Sequence, residues 1–216
     1  MVFIKNANLS LLHIPKTAGT SINSQLFEMK RYLRPLVTCH LGHFTIKEIY
    51  NEKAIDFKQP GSSDLVVTNL NDKFGVKNLK NIQHSKKIAI VRNPITRLAS
   101  YYFYTKQFTS DIFPEINNMT LEDFLLDKST ILSMQRAFWK QVDYVFYEDK
   151  TVDYIIKYEN LNDIKTLFKE FKINIHLDEN KLKTTKENSA ITSKAVEIIY
   201  TRYRDDFEAF DYKIDE

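Results

Sequence analysis

Short apolar runs that alternate with stretches of helical spacing constrain this chain more than any other feature. Leu9–Ile14, Leu36–Thr38, Asp64–Thr68, Lys87–Val91 and Val152–Tyr158 are each bounded and short enough for a buried strand. For the first of them, periodicity alone leaves a helix open. Between the runs, apolar residues fall at helical spacing at positions 22, 26 and 27, then across Thr45–Tyr50 and beyond Pro94. Thr120 with Asp123 forms a capping-box pattern at 120–127, and a helix over about 129–141 carries Met134, Phe138 and Trp139. Amphipathic helices are expected over Asn162–Phe171 and about Thr192–Phe207, the latter burying Ala195, Ile198, Ile199 and Tyr203. Strands interleaved with helices predict an α/β fold, a central parallel sheet flanked by helices. Residues 51–63 (NEKAIDFKQPGSS) are polar and turn-rich, which predicts a surface excursion.

With 216 residues, a single domain spanning 1–216 is expected. A formal charge of +3 suits a small anion or a glycan, and because lysines and carboxylates alternate throughout, no nucleic-acid partner is expected. Four glycines and five prolines argue against a disordered or collagen-like chain. The lone Cys39 excludes an intramolecular disulfide, and no Cys/His cluster has zinc spacing, so no metal is expected. MVFIKNANLS lacks an apolar core of signal-peptide length, and no run has the length of a membrane span. A soluble cytoplasmic protein is the resulting expectation.

LHIPKTAGTS, residues 12–21, follows the first apolar run and precedes helical spacing. A loop at that junction opens onto a helix N-terminus, whose unpaired N–H groups and dipole suit phosphate or sulfate oxygens. Gly19 permits close approach, Lys16 adds a point charge, and Thr17, Thr20 and Ser21 add hydroxyl donors. A plain capped helix, with Ser21 or Thr20 as N-cap, is the competing explanation. The second stretch is IAIVRNPITRLASYYFY, residues 88–104, which places Arg92 at the carboxyl end of a strand, where open α/β sheets hold ligands. Ser100 follows on the next helix, and Arg97 shares its face. An arginine fork with a hydroxyl suits a terminal phosphate; alternatively, Arg92 pairs with a carboxylate and Ser100 packs.

The order IPKTAGTS, GHF and VRNPxxRLxSxY resembles sulfotransferases that use 3′-phosphoadenosine-5′-phosphosulfate (PAPS), especially the Golgi-type carbohydrate branch and its bacterial and viral relatives. VDYIIKYENL (152–161) and IYTRYRDDFEAFDY (199–212) extend the resemblance, while residues 51–80 and 105–130 are unmatched. It implies a P-loop-like fold in which Lys16, Thr17, Ala18, Gly19, Thr20 and Ser21 hold the 5′-phosphosulfate, with Lys16 on the sulfate and its bridging oxygen. Arg92 and Ser100 would bind the 3′-phosphate. Asn93 stands where the family more often has aspartate. Gly42-His43 is similar to the base position of uronosyl 2-O-sulfotransferases, which makes His43 the base and His40 its helper or a substrate ligand. The acceptor would be a hydroxyl, by resemblance that of a glycan, and the product nucleotide 3′-phosphoadenosine-5′-phosphate (PAP); no metal is implied. A P-loop kinase would place its lysine late in G-x-x-x-x-G-K-[ST], whereas Lys16 precedes Gly19. A noncatalytic nucleotide-binding module is the other rival, and it would have no need of His43.

Weaker signals complete the reading. Gln135, Arg136 and Lys140 form either a solvated face or an acceptor contact. KLKTTKENS (181–189) lies where the family covers the adenine. Glu159 is read as structural, His13 as packed, and Tyr101, Tyr102, Phe103 and Tyr104 as core.

Overall fold

The computed structural model describes residues 1–19, 21, 22, 24–26, 37–40, 43–57, 65–74, 76–111, 113–133, 135–176 and 191–214. At 37–40, 55–57, 65–68, 73, 74, 76, 132, 133, 135 and 161 the description covers the backbone alone. Thr20, Gly42, Met134 and the 181–189 segment therefore lie outside the described residues, as does the side chain of His40.

β1 (Val2–Ile4), β2 (Leu9–Leu12), β3 (Val37–His40), β6 (Lys86–Val91) and β9 (Tyr154–Lys157) form the central sheet in the order β3-β1-β2-β6-β9. β2, β6 and β9 pair in parallel, while β1 runs antiparallel to both β2 and β3. Four strands thus share one direction around a single reversed one. The three-residue β1 was not foreseen, because VFI is too short to carry a period.

Both faces of this sheet are buried, as strand alternation requires. Phe3, Leu12, Ala89 and Val91 face one core, which also takes Leu98 and Tyr102 of helix Pro94–Phe108, Phe124 of Leu121–Leu126, and Ile199 and Tyr203 of Ser193–Ala209. Val2, Ile4, Leu9, Leu11, Ile88 and Ile90 face the other, with Ile22, Leu26 and the Ile164, Leu167 and Phe168 stripe of helix Leu161–Glu170. Four of the expected helices begin at side-chain caps. Thr45 with Glu48 and Thr120 with Asp123 form capping boxes ahead of Ile46–Asn51 and Leu121–Leu126, and Thr192 caps Ser193–Ala209. Asn93 accepts from the Ile95 N–H ahead of Pro94.

Three expectations need correction. Part of the excursion at 51–63 is β4 (Lys53–Phe57), which pairs antiparallel with β5 (Leu65–Asn69) in a separate two-stranded sheet, so β5 does not join the central one. The helix expected over about 129–141 is described at Lys128–Ser133 and Gln135–Phe138 and ends at Phe138, and a new helix follows at Gln141–Val145. Its interruption has a physical cause. Arg97 donates to the Ala137 and Trp139 carbonyls and Tyr203 to the Phe138 carbonyl, so side chains meet the carbonyls of this helix end. Asp206 then accepts the Gln141 and Val142 N–H groups and starts the next helix. Arg97, finally, is 1% exposed and acts as this strut; it offers no fork beside Ser100. β7 (Phe146–Tyr147) and β8 (Lys150–Thr151) form a small hairpin.

Candidate active site

Because β2 and β6 are parallel neighbours, with Leu12 opposite Ala89, their carboxyl ends deliver the 13–19 loop and Arg92 to the same crevice. Lys16 and Ala18 adopt left-handed backbone, φ 67° and 65°, on either side of Thr17. Alternation of this kind turns successive N–H groups toward one side and makes an anion-binding concavity. The Thr17 hydroxyl donates inward to the Ile14 carbonyl at 3.0 Å and is buried, so it stiffens the loop. The Ala18 carbonyl accepts the Ile22 N–H at 3.1 Å, the first turn of helical backbone at 19, 21, 22 and 24–26. Ser21 is half-buried in that turn.

Arg92 closes the loop from the β6 side. Its Nη1 donates to the Lys16 carbonyl at 3.4 Å, Nε donates to Thr96 Oγ1 at 3.1 Å, and the guanidinium lies 4.5 Å from the Tyr158 ring centroid. Lys16 Nζ sits 4.0 Å over the Tyr104 ring. Thr96, Ser100 and Tyr104 are four residues apart on helix Pro94–Phe108 and share one face. Ser100 thus stands between the residue that anchors Arg92 and the residue that holds Lys16.

His43 approaches from beyond β3, and its Nδ1 lies 2.7 Å from the His13 carbonyl. A carbonyl can only accept, so Nδ1 carries the hydrogen and Nε2 of the neutral ring carries the lone pair. The His13 and His43 rings are 4.3 Å apart. Beneath the loop, the His13 ring also fills the space a Gly19 side chain would need, since a Cβ there would lie 1.8 Å from His13 Cδ2. Gly19 therefore joins the anion loop to the histidine pair. His40 ends β3 opposite Val2, three residues before His43.

The contacts that hold these groups were not specified by the sequence, although Glu159 is structural, as read. Arg136 donates to the His43 carbonyl at 2.5 Å and pairs with Glu48 at 2.8 Å, so it fixes the His43 backbone and is no solvated cation. Lys140 of the same group pairs with Asp205 at 2.5 Å. Glu159 accepts the Asn93 N–H and the Tyr212 hydroxyl, both at 2.9 Å, and burial with the neighbouring Glu159 carboxylate pushes the Tyr212 phenol far up, keeping it a donor. Tyr104, expected in the core, is 42% exposed at the lysine. Thr96 was legible as the i+4 partner of Arg92; Arg136 and Glu159 reach their partners across 88 and 66 residues and carry no local signal.

A cavity of about 590 Å³ adjoins the His43 segment, with Thr45, Lys47, Glu48, Asn51, Lys53, Trp139, Asp143 and Phe146 in its wall. Its size is that of a small-ligand site. Burial pushes the Asp143 carboxyl up, and Lys140 opposes the shift. Among the described residues, no group of His, Cys, Asp and Glu could hold a metal ion, and no helix is long and apolar enough to cross a membrane.

A strand, a loop with left-handed backbone at Lys16 and Ala18 and a helix, closed by an arginine from the next parallel strand, make an α/β protein with a crevice at the carboxyl ends of its sheet. The family model of the sulfotransferases matches residues 1–213, and the chain belongs to the sulfotransferase family. Its class of reaction is therefore sulfuryl transfer. Searches of curated proteins and of solved structures gave no match.

Proposed function

We propose that the protein moves the sulfuryl group of PAPS to a hydroxyl of a glycan, with His43 as the base. The observation that carries this reading is the meeting of three groups at one crevice: the Lys16–Gly19 loop, Arg92 with Thr96 and Ser100, and an imidazole with its lone pair on Nε2. The backbone N–H groups of the loop and Ser21, with Thr20 from the sequence pattern, hold the 5′-phosphosulfate. Arg92 and Ser100 take the 3′-phosphate. His43 Nε2 accepts the acceptor's proton as its oxygen bonds to sulfur, and the bond from sulfur to the bridging oxygen breaks with its electron pair on the 5′-phosphate. Lys16 stabilises the charge that gathers there. His40 is assigned to the acceptor side.

Transfer of radiolabelled sulfate from PAPS to candidate glycans, with mass spectrometry of the products, tests the activity. Absence of labelled product across neutral and acidic glycans rejects the glycan acceptor. The donor assignment has its own measurement. PAP should bind at least about tenfold more tightly than AMP, since each charge-assisted hydrogen bond is worth about 1.5–3 kcal/mol. Calorimetry with both nucleotides decides it, and equal affinities remove Arg92 and Ser100 from the 3′-phosphate.

The cavity beside Thr45 is the acceptor's place in this reading. Trp139 and Phe146 offer apolar faces to a sugar ring, Asn51 and Asp143 offer hydrogen bonds to hydroxyls, and Lys47 and Lys53 favour an acidic substituent. Trp139 is the sole tryptophan, so its emission reports on this wall alone. Titration with a uronate-bearing tetrasaccharide should shift that emission, and the shift should weaken with salt. Unchanged emission during measurable turnover places the acceptor elsewhere.

A further inference from the structure

Arg92 stands just past the last residue of β6, where the ladder to β9 ends with Val91 opposite Lys157. Its peptide N–H and its carbonyl are both met by one side chain 49 residues away. The Arg92 N–H donates to Gln141 Oε1 at 2.8 Å, and Gln141 Nε2 donates to the Arg92 carbonyl at 2.8 Å. Gln141 is 0% exposed and Arg92 7%. Two opposed bonds to one residue fix the tilt of its peptides as well as their position, and so the direction in which its side chain leaves the backbone.

The carboxamide has to face one way for this. Asp206, also 0% exposed, accepts the Gln141 and Val142 N–H groups at 2.9 Å, and its Oδ2 lies 3.4 Å from Gln141 Nε2. A carboxylate only accepts, so it draws the amide nitrogen to its side; a flipped amide would set its oxygen against both Asp206 and the Arg92 carbonyl. Filling the space would need only a side chain of this volume. The polarity is what the site adds.

We propose that Gln141, oriented by Asp206, is a positioning residue for the donor nucleotide: it splints the Arg92 backbone so that the guanidinium meets the 3′-phosphate. This rests on the reading of Arg92 as the 3′-phosphate ligand. It also gives the C-terminal helix, which carries Asp206, a role in nucleotide discrimination without any contact to nucleotide.

The test compares PAP and AMP affinities by calorimetry in the wild type, Arg92→Ala, Gln141→Met, Asp206→Asn and the Arg92→Ala/Gln141→Met double variant, with thermal melting as a control. Gln141→Met keeps the volume and removes both bonds. It should lower PAP affinity by about tenfold and AMP affinity by less than about threefold, and in the double variant its effect should largely vanish, as expected for coupled residues. Asp206→Asn should give a smaller change of the same kind and is the variant to use if Gln141→Met does not fold. Equal losses for both nucleotides, or full additivity with Arg92→Ala, overturn the proposal and leave Gln141 a structural residue. Should Arg92→Ala itself keep the wild-type preference for PAP, the Arg92 assignment fails; should Arg92→Ala lose it while Gln141→Met keeps it, only the Gln141 proposal does.

Discussion

Replacement of His43 by alanine should cut sulfuryl transfer by about 10²–10⁴ while PAP still binds nearly as in the wild type, the usual cost of removing a general base. The ring hangs from the His13 carbonyl through Nδ1, and Arg136 fixes the His43 backbone, so the imidazole is held from two sides and its loss leaves the loop in place. Wild-type turnover should fall toward acid pH as Nε2 takes up a proton, and the residual rate of the variant should lack that limb. His40→Ala should be milder. Single-turnover transfer by both variants, with thermal-shift binding of PAP as the folding control, makes the comparison. A fully active His43 variant beside a dead His40 variant would move the base three residues back along the chain.

The parts of this arrangement legible in the sequence are those built from near neighbours. IPKTAGTS and VRNP each put strand end, loop and helix start within a few residues, so the crevice between β2 and β6 follows once the strands are parallel. The Thr120–Asp123 box and the helix after Pro94 were readable because such start signals act within one turn. What was missed depends on long-range contacts. Gln141 and Asp206 meet 65 residues apart, and a glutamine at a helix start looks like any polar surface residue. KAIDF could have been read as an alternating strand, but its lysine and aspartate within a polar stretch gave it the look of a loop, and its partner β5 follows a long connection. His13 is packed, as expected; its function as the wedge between Gly19 and His43 shows only when Gly19 is seen to leave it room. Arg97 misled for the opposite reason. Its spacing from Ser100 is helical, yet helix Pro94–Phe108 turns that edge into the core, where the guanidinium serves backbone carbonyls.

Lys16→Ala should lower turnover by about 10²–10³ and PAP affinity by much less, because the ammonium is needed most when the departing bridging oxygen becomes negative. The loop itself should survive the change: its shape is set by the left-handed backbone at Lys16 and Ala18, the Thr17 bond to Ile14 and the Arg92 contact to the Lys16 carbonyl, none of which uses the lysine side chain. Tyr104 holds Nζ over its ring at the exposed end of the Thr96–Ser100–Tyr104 face, which keeps the charge near the crevice. Lys16→Arg retains charge but exchanges a compact ammonium for a planar fork, and should recover only part of the rate. The two quantities to set side by side are kcat with PAPS and the dissociation constant for PAP, which lacks the sulfuryl group. A loss confined to PAP affinity, with kcat unchanged, would make Lys16 an anchor for the nucleotide and move the stabilisation of the leaving phosphate to the loop N–H groups.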